Sequence, residues 1–399
     1  MKENGKKNLI PEILSNKAVQ SILAALLCIA AGLLAGFLVL LLIRPHAAAS
    51  AMLTILRNFL NYPKKAVAVK YIGNTLVKFV PLLMCSLSIQ FCYQAGLFNI
   101  GAAGQYVAGT GAAIMTALYF KLPWYVCLPA AILAGGLYGA IVALLKTFRN
   151  VNEVISGIML NWISLYGVNM MLSSVKESGS PYTHPISKVN PGALLPTLGL
   201  GHLFSNNKYV TIAIPLSVII AIIIKVVLSR TVFGYEIKAT GIAREAARYS
   251  GMKEKKNLVI TLFIGGALAG AGAAFFFLSG YDQWSCSQST VPVMGFNGIA
   301  AAFLGGLDPI GCIFSSFFIQ HITSGGAYLD RTLFPPQISD LISAIIIYLC
   351  GFVLFFKLRL NDRIRVWKEK TGNSPSETEP KPQIPDKPGD TVDKEGGEA

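Results

Sequence analysis

Residues Val19–Ile43 read VQSILAALLCIAAGLLAGFLVLLLI, 25 positions without one Asp, Glu, Lys or Arg. A helix needs roughly 20 predominantly apolar residues to cross the hydrocarbon core of a bilayer, so this run is long enough by itself. A secretory signal has a similar basic start, and Ala47 and Ala49 mimic its cleavage site. Its apolar core is normally about 7–15 residues, which makes an uncleaved first helix the better reading of the longer run. Working outward, spans are expected over Tyr71–Cys92, Gln105–Phe120, Leu122–Leu145, Ile155–Leu172, Tyr209–Leu228, Leu258–Leu278, Gly298–Leu304 with its flanks, Ile310–Ile322 and Ile338–Phe356. The expected fold class is all-α: a polytopic transmembrane helix bundle of about eight to ten spans.

Composition agrees. Of 399 residues, 53% are hydrophobic and 14% charged, where a soluble domain carries about 25% charged residues. The net charge of +14 lies between the apolar runs. It therefore reads as membrane orientation, not as a nucleic-acid footprint. With both ends cytoplasmic and ten alternating spans, the inner segments hold 23 Lys and Arg and the outer ones 10, the bias expected of inner loops. The first outer segment, Arg44–Lys70, is more basic than that rule favours. Seven scattered cysteines with no C-x-x-C pair indicate neither a disulfide framework nor a metal site.

Three regions follow. Residues 1–18 form a cytoplasmic N-terminal segment. Residues 19–357 form the transmembrane domain, with a cytoplasmic loop at 229–256. Residues 358–399 form a basic, then Pro-, Glu- and Gly-rich tail with too little apolar surface to fold. The segment Leu97-Phe98-Asn99-Ile100-Gly101-Ala102-Ala103 is echoed by Gly295-Phe296-Asn297-Gly298-Ile299-Ala300-Ala301. An odd number of expected spans separates the copies. They would face opposite ways, as in transporters built from inverted repeats with Gly-interrupted helices.

No phosphate-binding loop, H-E-x-x-H or G-x-S-x-G is present, so no enzyme chemistry is indicated. Three other features could carry function. Around the Gly-rich break Phe98–Gln105, with Gln90 and Gln94 just before it, the amides of Asn99 and Gln105 either offer neutral polar groups to a solute or bond between helices. In Asn152–Trp162, Asn152 suits a helix cap and Glu153 the positive end of the helix dipole. Asn161 there falls within the hydrocarbon and should face protein or a cavity. In Ser229–Lys256, a short helix is expected over Ile242–Tyr249, with Gly251 as its stop. Arg244 and Arg248 share one face and Ala243, Ala246 and Ala247 keep another side slim; such a helix either docks on a cytosolic partner or rests on headgroups. Gly135-x-x-x-Gly139 and Gly266-x-x-x-Gly270 read as packing surfaces, and Asp308-Pro309 as a turn that opens a helix.

Four segments in order, GLFNIGAAGQ at Gly96–Gln105, NEVISGIMLNWI at Asn152–Ile163, the Gly241–Gly251 loop and GFNGIAAAFLGGLDPIG at Gly295–Gly311, resemble permeases of ABC importers for nucleosides, simple sugars and branched-chain amino acids. The resemblance runs from about Tyr71 to Phe356, and the NEVISGIMLNW segment is most similar to the nucleoside and simple-sugar branch. It implies a cell-membrane permease that pairs with itself or a sibling. It also implies cytosolic ATPase subunits that hold the ATP, and an extracellular lipid-anchored or periplasmic solute-binding protein. The permease itself would need no cofactor. By that resemblance Gly241, Arg244, Glu245, Ala246, Ala247 and Gly251 belong to the loop that contacts the ATPase. Likewise Phe98, Asn99, Gln105, Phe296 and Asn297 would line the pathway, with Gln90 and Asn161 beside them. The competing expectation is a self-contained, ion-coupled transporter, which should carry ionisable groups within its spans. Lys78 and Asp340 are read as lying near span ends.

Overall fold

The computed structural model describes residues 17–330 and 332–334, with scattered positions between 341 and 362. Most of the expected last span, Ile338–Phe356, lies outside the described residues, as do residues 1–16 and the tail. The described chain is helical, with no strand beyond two isolated bridges.

In order, the main helices are α1 (Lys17–Ile43), α2 (Pro45–Arg57), α3 (Lys65–Gln94), α4 (Ala102–Leu118), α5 (Trp124–Arg149), α6 (Glu153–Leu172), α7 (Ala213–Arg230), α8 (Val232–Ile242), α9 (Arg244–Tyr249), α10 (Glu254–Phe277), α11 (Val293–Leu304) and α12 (Pro309–Gly325). Six are long and apolar enough to cross a membrane: α1, α3, α5, α6, α7 and α10. The expected spans at α4, α11 and α12 are also helical, at 17, 12 and 17 residues. At 1.5 Å per residue α11 is about 18 Å long, short of the roughly 30 Å core.

Two helices form the centre. Nearly all of α3's apolar window is buried, and most of α10's; α1 and α7 turn leucine and isoleucine outward, as lipid-facing helices do. Glycine sets the closest approach. A Cβ on Gly135 would meet Gly266 O at 2.4 Å, one on Gly139 would meet Leu262 O at 2.3 Å, and one on Gly270 would meet Ala131 O at 2.3 Å. The two small-residue repeats therefore face each other, because only glycine lets the α5 and α10 backbones touch.

Local capping follows the sequence. Asn152 Oδ1 accepts from Val154 N at 2.8 Å and Asp308 Oδ1 from Ile310 N at 2.9 Å, with Pro309 opening α12. The helix α2 was not expected. Pro45 starts it, and its buried face (Ala48, Ala51, Met52, Ile55) packs near the end of α12, where a Cβ on Gly325 would meet Ile55 O at 2.1 Å.

Candidate functional site

At the end of α3 the chain turns at Ala95-Gly96, with Gly96 at φ +68°, and climbs back along its own helix. Asn99 Nδ2 donates to Ser88 Oγ at 3.1 Å, six residues before Gln94 and so about 9 Å up the helix. Only then does α4 begin. Asn99 and Gln105 form a reciprocal amide pair, Asn99 Nδ2 to Gln105 Oε1 at 2.9 Å and Gln105 Nε2 to Asn99 Oδ1 at 3.0 Å, and both are buried. Asn161 is buried too. Its Oδ1 accepts from Gly104 N at 2.7 Å and its Nδ2 donates to Ile100 O at 3.1 Å. It thus satisfies one of the unpaired donors that open a helix. The sequence left these amides open between solute and neighbouring helix; the structure pairs them with protein.

Gln90 and Gln94 tie the same end of α3 to the α11–α12 turn, both donating to Leu307 O at 3.1 and 3.3 Å. Gln90 Oε1 is buried without a partner among the described residues. Phe98 is half-buried, its ring 6.5 Å from that of Phe303, which also meets Tyr93 at 5.5 Å. The second copy of the echo differs in form. Phe296 and Asn297 sit inside α11, while Asn99 precedes α4; Phe296 is exposed and Asn297 half-buried. The copies nevertheless meet, since a Cβ on Gly295 would lie 2.5 Å from Ala103 Cα.

The 229–256 segment forms α8 and α9. Gly241 rests on the turn after α3: a Cβ there would lie 2.2 Å from Gln94 O, 2.8 Å from Gly96 N and 2.9 Å from Ala95 C. The helix α9 starts at Arg244, two residues later than expected, because Ala243 is extended. It stops as expected at Gly251, φ +82°, with Met252 N bonded to Ala247 O and Gly251 N to Arg248 O, a glycine-terminated helix end. Ala247 is its buried contact. Ala246, Glu245, Arg248 and Ala243 are exposed, and Ile242 and Tyr249 are 87% and 90% exposed. Arg244 and Glu245 line a cleft of about 390 Å³ with Lys146 and Glu153, which form an ion pair, and with Glu254 and Lys255.

The sequence missed a second cluster, at the opposite end of α3. Tyr62 stacks on Tyr71 at 4.5 Å, and Tyr328 meets them edge-on at 5.4 and 6.1 Å. Tyr281 packs against Tyr209 at 5.2 Å. Lys78 Nζ lies 5.5 Å from the Tyr281 ring centroid. Lys78 is well inside α3, 13 residues from its start and 16 from its end. Burial raises the Tyr281 and Tyr328 hydroxyls above the usual range, so both stay neutral donors. The only available signals were a lone lysine within a span and single tyrosines far apart in sequence.

Comparison with known proteins decides the class. Residues 71–351 match the family described as branched-chain amino acid transport system / permease component. The chain belongs to this family. This permease is 31% identical to the nucleoside ABC transporter permease protein of Lactococcus lactis subsp. cremoris, over 72% of this chain and 81% of that one. It is 29% identical to a guanosine ABC transporter permease protein of Bacillus subtilis, over 83% and 93%. It is 27% identical to the glucose ABC transporter permease protein of Haloferax volcanii, over 75% and 80%. No solved structure matches it. With six helices among the described residues long and apolar enough to cross a membrane, the permease is a multi-pass protein of the cell membrane.

Proposed function

We propose that this permease is the membrane subunit of an ABC importer and carries a nucleoside or a related sugar-containing solute. Separate cytosolic ATPase subunits would bind and hydrolyse the ATP and dock on the 229–256 segment. A second permease, identical or a sibling, would complete the pathway, and an extracellular or periplasmic solute-binding (lipo)protein would deliver the solute.

The observation that carries this reading is the seat of Gly241 on the Gln94–Gly96 turn. A push on α9 reaches the end of α3 through backbone alone, with no side chain to absorb it. The same turn begins the segment that holds Asn99 against Ser88. The protruding Ile242 and Tyr249 give a partner two apolar handles beside a charged cleft. The names of the relatives support the solute class.

The test is reconstitution in liposomes with and without the cognate ATPase and binding protein. Uptake of tritiated guanosine or uridine should require both partners and ATP. Ion-gradient-driven uptake by this chain alone would refute the proposal.

A further inference from the structure

Lys78 has no carboxylate within ion-pair distance among the described residues, although it lies deep within a membrane helix. A cation in that position must reach water or a polar pathway. Its Nζ points toward Tyr281, in the segment just after α10, so it reaches the mouth where Tyr62, Tyr71, Tyr209 and Tyr328 also gather. These residues come from four separate parts of the chain: the α2–α3 connection with the start of α3, the stretch before α7, the segment after α10, and the end of α12. All are half-buried, so each ring keeps accessible surface.

We propose that this cluster is the outer solute station of the permease, and that it recognises a nucleobase, with tyrosine rings on its flat face and Lys78 donating to a ring carbonyl or ring nitrogen. The inference rests on the nucleoside reading above. The chemistry favours a base over a bare sugar. Asp282 and Gln283 border Tyr209 and Tyr281 and suit the hydroxyls of a sugar, while the gathered rings and the ammonium match what only the base adds, a π-face and ring acceptors. It also moves solute recognition away from Asn99, Gln105 and Asn161, whose amides are already bonded to protein.

The purified transporter, in nanodiscs, is irradiated with tritiated 5-azidouridine and the labelled peptides are mapped. Uptake of tritiated uridine is measured in proteoliposomes from the same preparation. Label should fall on peptides that hold residues 62–78 or Tyr281. Loss of one stacked base is worth on the order of 5- to 150-fold, so Tyr71→Leu and Lys78→Met should cut labelling and uptake at least about fivefold. Gly167→Ala, at a helical position with nothing within 4 Å, should keep both, and Tyr71→Leu and Lys78→Met should elute from size exclusion as the unaltered permease does, which shows that folding is intact. Uridine uptake by the unaltered permease with label elsewhere, or undiminished in Lys78→Met and Tyr71→Leu, overturns the station and leaves the nucleoside reading standing. A permease that moves glucose or ribose but neither binds nor moves uridine overturns both. A Lys78→Met defect confined to uridine 5′-monophosphate overturns base recognition, because Lys78 would then serve a phosphate.

Discussion

Replacing Gly241 by alanine tests whether force crosses from α8 to α3 through direct backbone contact. The added Cβ would stand 2.2 Å from Gln94 O, 2.8 Å from Gly96 N and 2.9 Å from Ala95 C. Ordinary carbon contacts begin near 3.5 Å, so α8 must withdraw by about 1 Å. None of the three atoms is in a side chain, so no rotamer relieves the clash. Overpacking of this kind costs about 1–3 kcal/mol. Placed wholly on the seated arrangement, that is on the order of a 5- to 150-fold loss of its population. The assay is solute moved per ATP hydrolysed in proteoliposomes holding the permease and its ATPase. Gly241→Ala should insert into the membrane and support hydrolysis, yet move at least fivefold less solute per ATP. Gly167→Ala is the control: it is a helical position with nothing within 4 Å and should transport normally, with stability unchanged or raised by up to about 1 kcal/mol. Normal stoichiometry in Gly241→Ala would refute the reasoning, because a seat that can open by 1 Å without effect transmits nothing.

Asn161→Leu should lower stability by about 1–3 kcal/mol, since it strands the buried Gly104 N–H and Ile100 carbonyl; a thermal midpoint equal to that of the unaltered protein would contradict this. Pro81 lies inside α3 and denies the Val77 carbonyl its helical donor, so Pro81→Ala should preserve or raise stability while reducing uptake per ATP; improved stability with unchanged coupling would show that the interruption is only structural. The exposed Asp330 is held below the usual carboxylate range by the Thr332 hydroxyl at 2.7 Å and the Thr332 N–H at 2.9 Å. Because its folded pKa is depressed, the turn keeps this support above the unfolded carboxylate pKa and loses it as pH falls through the folded value. Hydrogen exchange at residues 329–334 should therefore rise in acid, and Asp330→Asn should remove that dependence.

The membrane character of the chain was legible because it is written in contiguous runs, and every expected span within the described residues is a helix. Caps were legible for the same local reason: Asn152, Asp308 with Pro309, and Gly251 act within a few residues of themselves. The facing of the Gly135 and Gly266 repeats was half-legible. Small residues announce a close approach but not their partner. What the sequence could not supply were pairings across long separations. Nothing local says that Asn161 bonds to Ile100 and Gly104, so its face stayed open between cavity and protein. Nothing local places Gly241 on Gly96. The tyrosines at 62, 71, 209, 281 and 328 become a cluster only when four segments converge. The helix α2 was missed for another reason: its apolar stripe is short, and the basic residues on either side of it drew attention to charge instead.

The two clusters share one element. The helix α3 carries Tyr71 and Lys78 toward the outer mouth and Gln90 and Gln94 at the inner junction. Between them lies Pro81, where a Cβ on Gly272 of α10 would meet the Pro81 carbonyl at 3.4 Å and Met84 Cβ at 2.8 Å. A helix this buried cannot bend freely, and a displacement of its inner end must be taken up where its hydrogen-bond ladder is already interrupted. That point falls three residues beyond Lys78. A shift at the Gly241 seat would therefore reach the tyrosine mouth as a change in the angle of the segment that bears Tyr71 and Lys78, a change of ring spacing rather than the breaking of a bond. Such an arrangement suits release of a flat, weakly held solute. It would not suit a tightly chelated ion, whose release needs its ligands parted one by one.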